Sequence, residues 1–102
     1  MMGGDDGPKP GEGPSKEERE AGFYDVMFHG TAADGGIIIA GVTGDKDPGY
    51  GSTSKMIAES AICLVKDDIG TPGGVWTPAP AMGGHLVKRL TEKAGLTFEI
   101  EN

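Results

Sequence analysis

Cysteine, basic residues and long apolar runs are all scarce in this sequence, and each scarcity excludes a class of protein. Cys63 is the single cysteine among 102 residues, so the chain has no internal disulfide and no cysteine cluster for zinc. Every apolar run falls short of the roughly 18 residues that a transmembrane helix needs, and no signal-peptide pattern is present. We therefore expect a chain without a membrane span, in a reducing, cytoplasmic setting.

Basic residues are outnumbered by acidic ones. Nine Lys and Arg face 16 Asp and Glu, for a net charge of −7 at neutral pH. A nucleic-acid-binding surface needs a basic patch, and here only Lys88 and Arg89 are adjacent. Nucleic acid is therefore not an expected partner.

The sequence also lacks a recognisable set of catalytic or metal-binding residues. His29 and His85 are its only histidines, and neither has a companion at metal-ligand spacing. No Ser/His/Asp set can be proposed, because nothing in the pattern brings such groups together. The sequence therefore predicts no catalytic residues and no metal site.

Glycine and proline are abundant, at 19 and seven residues, so much of the chain must be turn or loop. Residues 1–14 carry almost no apolar side chains, which predicts a disordered leader before a domain at 15–102. Ser15 and Glu18 have capping-box spacing and predict a short helix that stops at Gly22.

Two strands are predicted in the first half of the domain. Residues 23–29 alternate between apolar and polar side chains, as in a half-buried strand. Residues 37–42 form a continuous apolar run rich in β-branched residues, which favours a strand in the middle of a sheet. Turn residues at 30–36 separate the two, so they should pair as a hairpin.

The second half predicts two helices and a final strand. Residues 79–94 have a narrow apolar stripe and are followed by Gly95, a typical C-terminal cap. Residues 96–101 alternate cleanly as a half-buried strand. The predicted fold class is α+β, a small and mainly antiparallel sheet in the order β-β-α-α-β, with two helices packed on one face.

The first of these helices, at 53–66, is apolar almost all the way round. Ser52 or Thr53 is its expected N-cap, and Cys63 lies inside it as a small apolar residue. A helix of this kind needs cover on both sides. We therefore expect it to bind a second copy of the chain or another domain.

Two segments are candidate binding sites. The loop before the helix supplies Tyr50, Gly51, Ser52, Thr53 and Lys55, at a helix start where anions bind favourably. It has neither the ending of a Walker loop nor the third glycine of a dinucleotide fingerprint, so a simple tight turn with an N-cap remains the alternative.

The second segment is Trp76 with Thr77, beside Pro78. A tryptophan next to proline is found in cores and interfaces as well as in ligand sites. The pattern leaves these three roles open.

Several blocks of the sequence, in order and spacing, resemble the C-terminal part of the saccharopine dehydrogenase-like NAD(P)-dependent oxidoreductases, a group that includes the trans-acting enoyl reductases. The blocks are Pro10-Gly11-Glu12-Gly13-Pro14-Ser15, Glu18-Arg19-Glu20, Gly22-Phe23, Asp47-Pro48-Gly49-Tyr50-Gly51, Thr53, Lys55-Met56, Glu59-Ser60-Ala61, Cys63-Leu64, Gly74-Val75, Thr77-Pro78-Ala79, Ala81-Met82-Gly83, Leu86, Arg89-Leu90, Ala94-Gly95 and Thr97-Phe98-Glu99.

The resemblance implies NAD(P) as the cofactor of the full-length family, held by a Rossmann domain. This sequence has no strand–GxGxxG–helix unit, so we expect it to bind no cofactor alone. The resemblance also implies that this chain is a detached C-terminal substrate or dimerisation domain that is inactive alone. The helix at 53–66 would then pack against a Rossmann-type domain. Alternatives are a stand-alone binding or dimerisation module that kept the fold, and a small-anion binder acting through residues 49–53. Whether the chain belongs to an enzyme stays open, since no complete active site is visible.

Overall fold

The computed structural model describes residues 9–101. The first eight residues of the predicted leader at 1–14, and residue 102, lie outside this range, so the division into leader and domain stays a prediction. The described elements are α1 (Lys16–Ala21), β1 (Tyr24–Thr31), β2 (Ile37–Gly44), α2 (Gly51–Lys66), α3 (Pro78–Lys93) and β3 (Leu96–Ile100). The predicted α+β class and the order β-β-α-α-β are confirmed, with the short helix α1 placed before them.

The sheet is antiparallel throughout, with β2 between β1 and β3. The register aligns Val26 with Val42 and Val42 with Phe98, so these three side chains lie on one face. β2 takes the central position because its β-branched run is apolar on both faces, as the sequence predicts.

This face, which we call the apolar sheet face, is covered at one end only. Its covered end is formed by Tyr24, Val42 and Leu96, which are buried or half-buried beside the helices. Towards the hairpin tip the face continues with large apolar side chains that are exposed. They are Val26, Phe28, Ile38, Phe98 and Ile100.

A glycine allows β1 to reach the helices at the covered end. Tyr24 lies opposite Gly44, and a Cβ at Gly44 would overlap the Tyr24 ring. The ring therefore crosses over Gly44, and its hydroxyl shares a 2.7 Å hydrogen bond with the hydroxyl of buried Ser52 on α2. This close approach joins the first strand to the start of α2.

The core lies between α2, α3 and the first residue of β3. Its buried residues are Cys63, Ala81, Met82, Leu86, Leu90, Ala94 and Leu96. Val42, Met56 and Ile69 pack against them. Most of these residues come from α3, whose apolar stripe was predicted from the sequence.

Helix α3 is interrupted near its start. Gly83 has φ 52° and ψ −132°, a backbone conformation that L side chains rarely adopt, so the first turn is offset from the rest of the helix. At the other end, Gly95 has φ 73° and turns the chain into β3, as predicted for a C-terminal cap.

Candidate functional site

The loop before α2 is organised by one carboxylate. Asp47 accepts hydrogen bonds from the backbone N–H groups of Gly49 at 3.0 Å, Tyr50 at 3.0 Å and Gly51 at 2.6 Å. These bonds, that from Gly51 above all, hold the pKa of the Asp47 carboxyl below its usual value. Asp47 therefore supplies the negative charge that the first turn of α2 favours.

The prediction that Ser52 or Thr53 caps this helix is wrong. The helix begins at Gly51, after Tyr50, so both hydroxyl residues lie inside its first turn. Asp47 is the reason, because a carboxylate four residues before the helix already accepts the N–H of Gly51, the first residue of the helix. The Thr53 hydroxyl instead donates to the carbonyl of Pro48 at 2.5 Å.

The predicted binding residues of this loop therefore have different surroundings. Ser52 is fully buried against Tyr24, whereas Tyr50 is exposed, with its ring close to Gly13. Lys55 is half-buried one turn further along α2. An external anion at this helix start would have to replace the Asp47 carboxylate, and its binding stays a prediction.

The second predicted segment lies in the connection between α2 and α3. Trp76 and Thr77 belong to the connection between the end of α2 and the start of α3, and the indole N–H of Trp76 donates to the carbonyl of Pro72 at 3.0 Å. Tyr50 and Trp76 therefore lie on opposite sides of α2 in the sequence, and each has its own set of contacts.

An ion-pair cluster that the sequence analysis did not find joins α2 to α3. The guanidinium of Arg89 donates to both carboxylate oxygens of Asp67, at 2.6 and 2.8 Å, and to Glu59 at 3.2 Å. The Arg89 and Asp67 side chains are each 22% exposed. This bidentate geometry is the strong form of the arginine–carboxylate contact.

The cluster changes the proton affinity of its members. The hydrogen bonds from Arg89 lower the pKa of Asp67 to about 2, and those to Asp67 and Glu59 raise the pKa of Arg89. Burial, with a hydrogen bond to Asp67, raises the pKa of the Cys63 thiol. Cys63 is therefore a protonated core residue at neutral pH, in agreement with the role assigned from sequence.

One face of α2 has no cover from the rest of the described chain. Cys63 is buried towards α3, but on the outer side Ile57 is 69% exposed and Val65 is 82% exposed. We call this surface the α2 outer stripe, formed by Ile57, Ala58, Ala61, Ile62 and Val65. Its members recur at helical spacing and none is charged.

Two features are absent from the part of the chain that the structure describes, residues 9–101. No group of three or more His, Cys, Asp or Glu in this range is arranged to hold a metal ion. None of the helices in the same range combines the length and apolarity required to cross a bilayer.

Comparisons with known proteins identify relatives by sequence. A Mycobacterium tuberculosis protein whose name places it among the trans-acting enoyl reductases is 42% identical over 94 residues, which are 90% of this chain and 22% of that protein. The trans-acting enoyl reductase of Mycobacterium ulcerans is 39% identical over 87 residues, 83% of this chain and 21% of the relative. That of Mycobacterium bovis is 39% identical over 85 residues, 81% of this chain and 20% of the relative.

The chain spans about a fifth of the length of these relatives. No family model matches the sequence, and no solved structure matches it. The resemblance seen in the sequence blocks is nevertheless confirmed, because the matched residues cover nearly all of this chain. By sequence, this chain is similar to one part of the trans-acting enoyl reductases.

Proposed function

We propose that this chain is a non-catalytic C-terminal domain of a saccharopine dehydrogenase-like oxidoreductase, and that it acts by packing against a nucleotide-binding domain that holds NAD(P). The α2 outer stripe carries this proposal. A contiguous, uncharged and exposed face on a 16-residue helix marks a surface that another protein surface covers.

Two further observations support a partner domain of this kind. The relatives are about five times longer than the matched segment, so most of their mass lies outside it. The sequence of this chain has no GxGxxG motif, which a Rossmann-type NAD(P) site uses to bring backbone close to the pyrophosphate. Cofactor binding is then the task of the partner domain.

The two predicted binding segments fit this arrangement as supporting contacts. Tyr50 and Lys55 lie at one end of the α2 outer stripe, and Trp76 and Thr77 follow the other end. A domain that packs along α2 would contact the segment before this helix and the segment after it. In this proposal they line the cleft between the domains and take no part in chemistry.

A domain exchange tests the proposal. In the Mycobacterium ulcerans relative, the segment that matches this chain is replaced by residues 9–101, and NADPH-dependent reduction of an enoyl substrate is measured. We expect the exchange protein to bind NADPH and to retain activity, while the chain alone does not change the fluorescence of its single tryptophan, Trp76, on NADPH addition.

Two variants locate the contact. Ile57→Glu or Val65→Glu in the exchange protein should lower activity at least tenfold, because each places a charge in the domain interface. Val87→Glu is the matched control, since Val87 is also an exposed apolar helix residue but lies on α3. Saturable NADPH binding by the chain alone, or a folded but inactive exchange protein, would contradict the proposal.

A second candidate is a stand-alone dimerisation module that kept the fold. The specific observation in its favour is the open edge of β1, which continues the apolar sheet face to the boundary of the molecule. Under this candidate the exchange protein is folded but inactive.

A further inference from the structure

Strand β1 is an open edge of the sheet that the described residues form. It lies outermost in the order β1-β2-β3, and each residue from Asp25 to Thr31 is exposed. Natural edge strands are usually protected by lysine, proline, a bulge or short length. β1 has eight residues, no lysine and no proline, and Asp25 is its one acidic residue.

Two hydrogen bonds establish which backbone groups of β1 point outwards. Glu101 donates its N–H to the carbonyl of Ile39 at 2.8 Å, so the backbone groups of Ile39 point towards β3. His29 is the residue of β1 that pairs with Ile39. The two therefore form a non-hydrogen-bonded pair, and the backbone groups of His29 point away from β2. Ala32 donates its N–H to the carbonyl of Gly36 at 2.8 Å. Ala32 is three residues from His29, an odd number, so its backbone groups point the opposite way, towards the strand that β1 pairs with, as the alternation requires.

The alternation directs the N–H and C=O groups of Asp25, Met27 and His29 to the open edge. These three residues share one face of the sheet, while Val26 and Phe28 share the apolar sheet face. A strand that pairs with β1 must therefore form its hydrogen bonds with the odd-numbered residues.

We propose that β1 pairs antiparallel with β1 of a second copy of this chain, about a two-fold axis at Met27. In that register the outward groups of Met27 meet those of the second Met27, and Asp25 lies directly opposite His29. On the other face, Val26 lies opposite Phe28. The two sheets then form one continuous sheet with an uninterrupted apolar face.

Side-chain complementarity selects this register. A carboxylate–imidazole hydrogen bond and an aromatic–β-branched pair are both favourable directly across antiparallel strands, and two-fold symmetry makes each pair occur twice. An axis at Val26 would place Asp25 opposite Met27, and an axis at Phe28 would place His29 opposite Met27. Only the axis at Met27 pairs Asp25 with His29.

The pairing is independent of the proposed function. It uses the edge of the sheet and leaves the α2 outer stripe free, so a dimer can still bind a nucleotide-binding domain. A failed domain exchange would leave the dimer untouched, and a monomeric chain would leave the domain exchange untouched.

Disulfide trapping tests the register in the full chain. Met27→Cys should form a disulfide-linked dimer under mild oxidation, because directly paired residues have Cα atoms about 5.5 Å apart, within the range that a disulfide spans. Thr31→Cys is the matched control on the same face of β1, and it should not cross-link, since its two copies would lie roughly 27 Å apart. Native Cys63 is buried and does not contribute.

Exchange of the two side chains tests the Asp25–His29 pairs by sedimentation velocity. Asp25→His places histidines opposite each other and should raise the dimer dissociation constant roughly two- to thirtyfold. The double variant Asp25→His with His29→Asp restores the carboxylate–imidazole pair in this register alone, so it should return the constant to near the native value.

A chain that stays monomeric up to about 1 mM would overturn the proposal. So would a dimer that Met27→Cys fails to cross-link and that Ile57→Glu dissociates, since the α2 outer stripe would then be the interface. Met27→Lys is a second variant at an exposed site, and it should dissociate the dimer while circular dichroism shows the fold intact.

Discussion

Asp47 shapes the loop before α2 through several backbone contacts at once. Its carboxylate accepts from three successive N–H groups, and its own N–H donates to the carbonyl of Arg19 at 3.1 Å. The side chain therefore holds the start of α2, while the backbone ties this loop to α1.

Replacing Asp47 should destabilise the chain without changing its fold. We expect Asp47→Ala to lower the free energy of unfolding by about 1–2 kcal/mol, because the N–H groups of Gly49 and Tyr50 in the loop and of Gly51 at the start of α2 lose their acceptor. Asp47→Asn keeps an acceptor oxygen and should cost less. Urea unfolding measures the difference, with Ser54→Ala as the control for an exposed position in the first turn of α2. Equal stability of Asp47→Ala and the native chain would show that Asp47 is not the cap.

At the scale of the elements, Arg89 is the main polar link between the helices. It reaches Asp67, just after α2, and Glu59 within α2. Below this cluster the helices pack through Cys63 and Leu86. Because a planar guanidinium holds both oxygens of Asp67, an ammonium in its place would not restore the geometry.

The cluster should make the chain sensitive to acid. The pKa of Asp67 is about 2 in the folded chain, below its usual value, so its stabilising contribution is complete above about pH 4 and is lost as the pH falls towards 2. Arg89→Ala should lower stability at pH 7 by roughly 1–3 kcal/mol, since two carboxylates lose their partner. It should also flatten the loss of stability between pH 4 and 2.

Unfolding in urea at several pH values measures both effects. Lys88→Ala is the control, because Lys88 is adjacent and exposed. An unchanged slope between pH 4 and 2 in Arg89→Ala would mean that Asp67 is not stabilised by this arginine.

The whole molecule is extended for its length. Its radius of gyration is 16.6 Å and its extents are 47 × 38 × 25 Å, whereas a compact chain of 100 residues has a radius of about 13 Å. The sheet projects beyond the helices, and its apolar face is covered only near Leu96. An open shape with two exposed apolar surfaces is typical of a body that is completed by association.

The stability of the chain should therefore depend on its concentration. Dimerisation stabilises the folded state and leaves the unfolded state unchanged. Tm should therefore rise by roughly 3–6 °C for each tenfold increase in protein concentration. Differential scanning calorimetry measures this rise. Met27→Lys should remove it, and a native Tm that is independent of concentration would contradict self-association.

Local patterns were enough to predict most of the elements. The alternation at 23–29 and 96–101, the apolar run at 37–42 and Gly95 each report on a few neighbouring residues, and strands and helix ends depend on such neighbours. The break at Gly83 was not predicted, because a glycine inside a helical pattern does not reveal whether its backbone departs from the helix.

The candidate site was less predictable than the fold. Ser52 has the chemistry of a cap, yet it is buried under Tyr24, and the distance between Tyr50 and Trp76 depends on the length and direction of α2. The pair of Arg89 and Asp67 joins residues 22 positions apart. No local rule connects such positions, so only the packing of α2 on α3 could reveal it.

The amino-acid sequence by itself determined the α+β class, the order of the elements and the similarity to part of the trans-acting enoyl reductases, because these depend on periodicity and on residue identity along the chain. Tertiary structure decided which carboxylate caps α2, which charges pair and which apolar surfaces stay exposed. These depend on distances between residues that are remote in sequence, and such distances are set only when the helices and the sheet pack together.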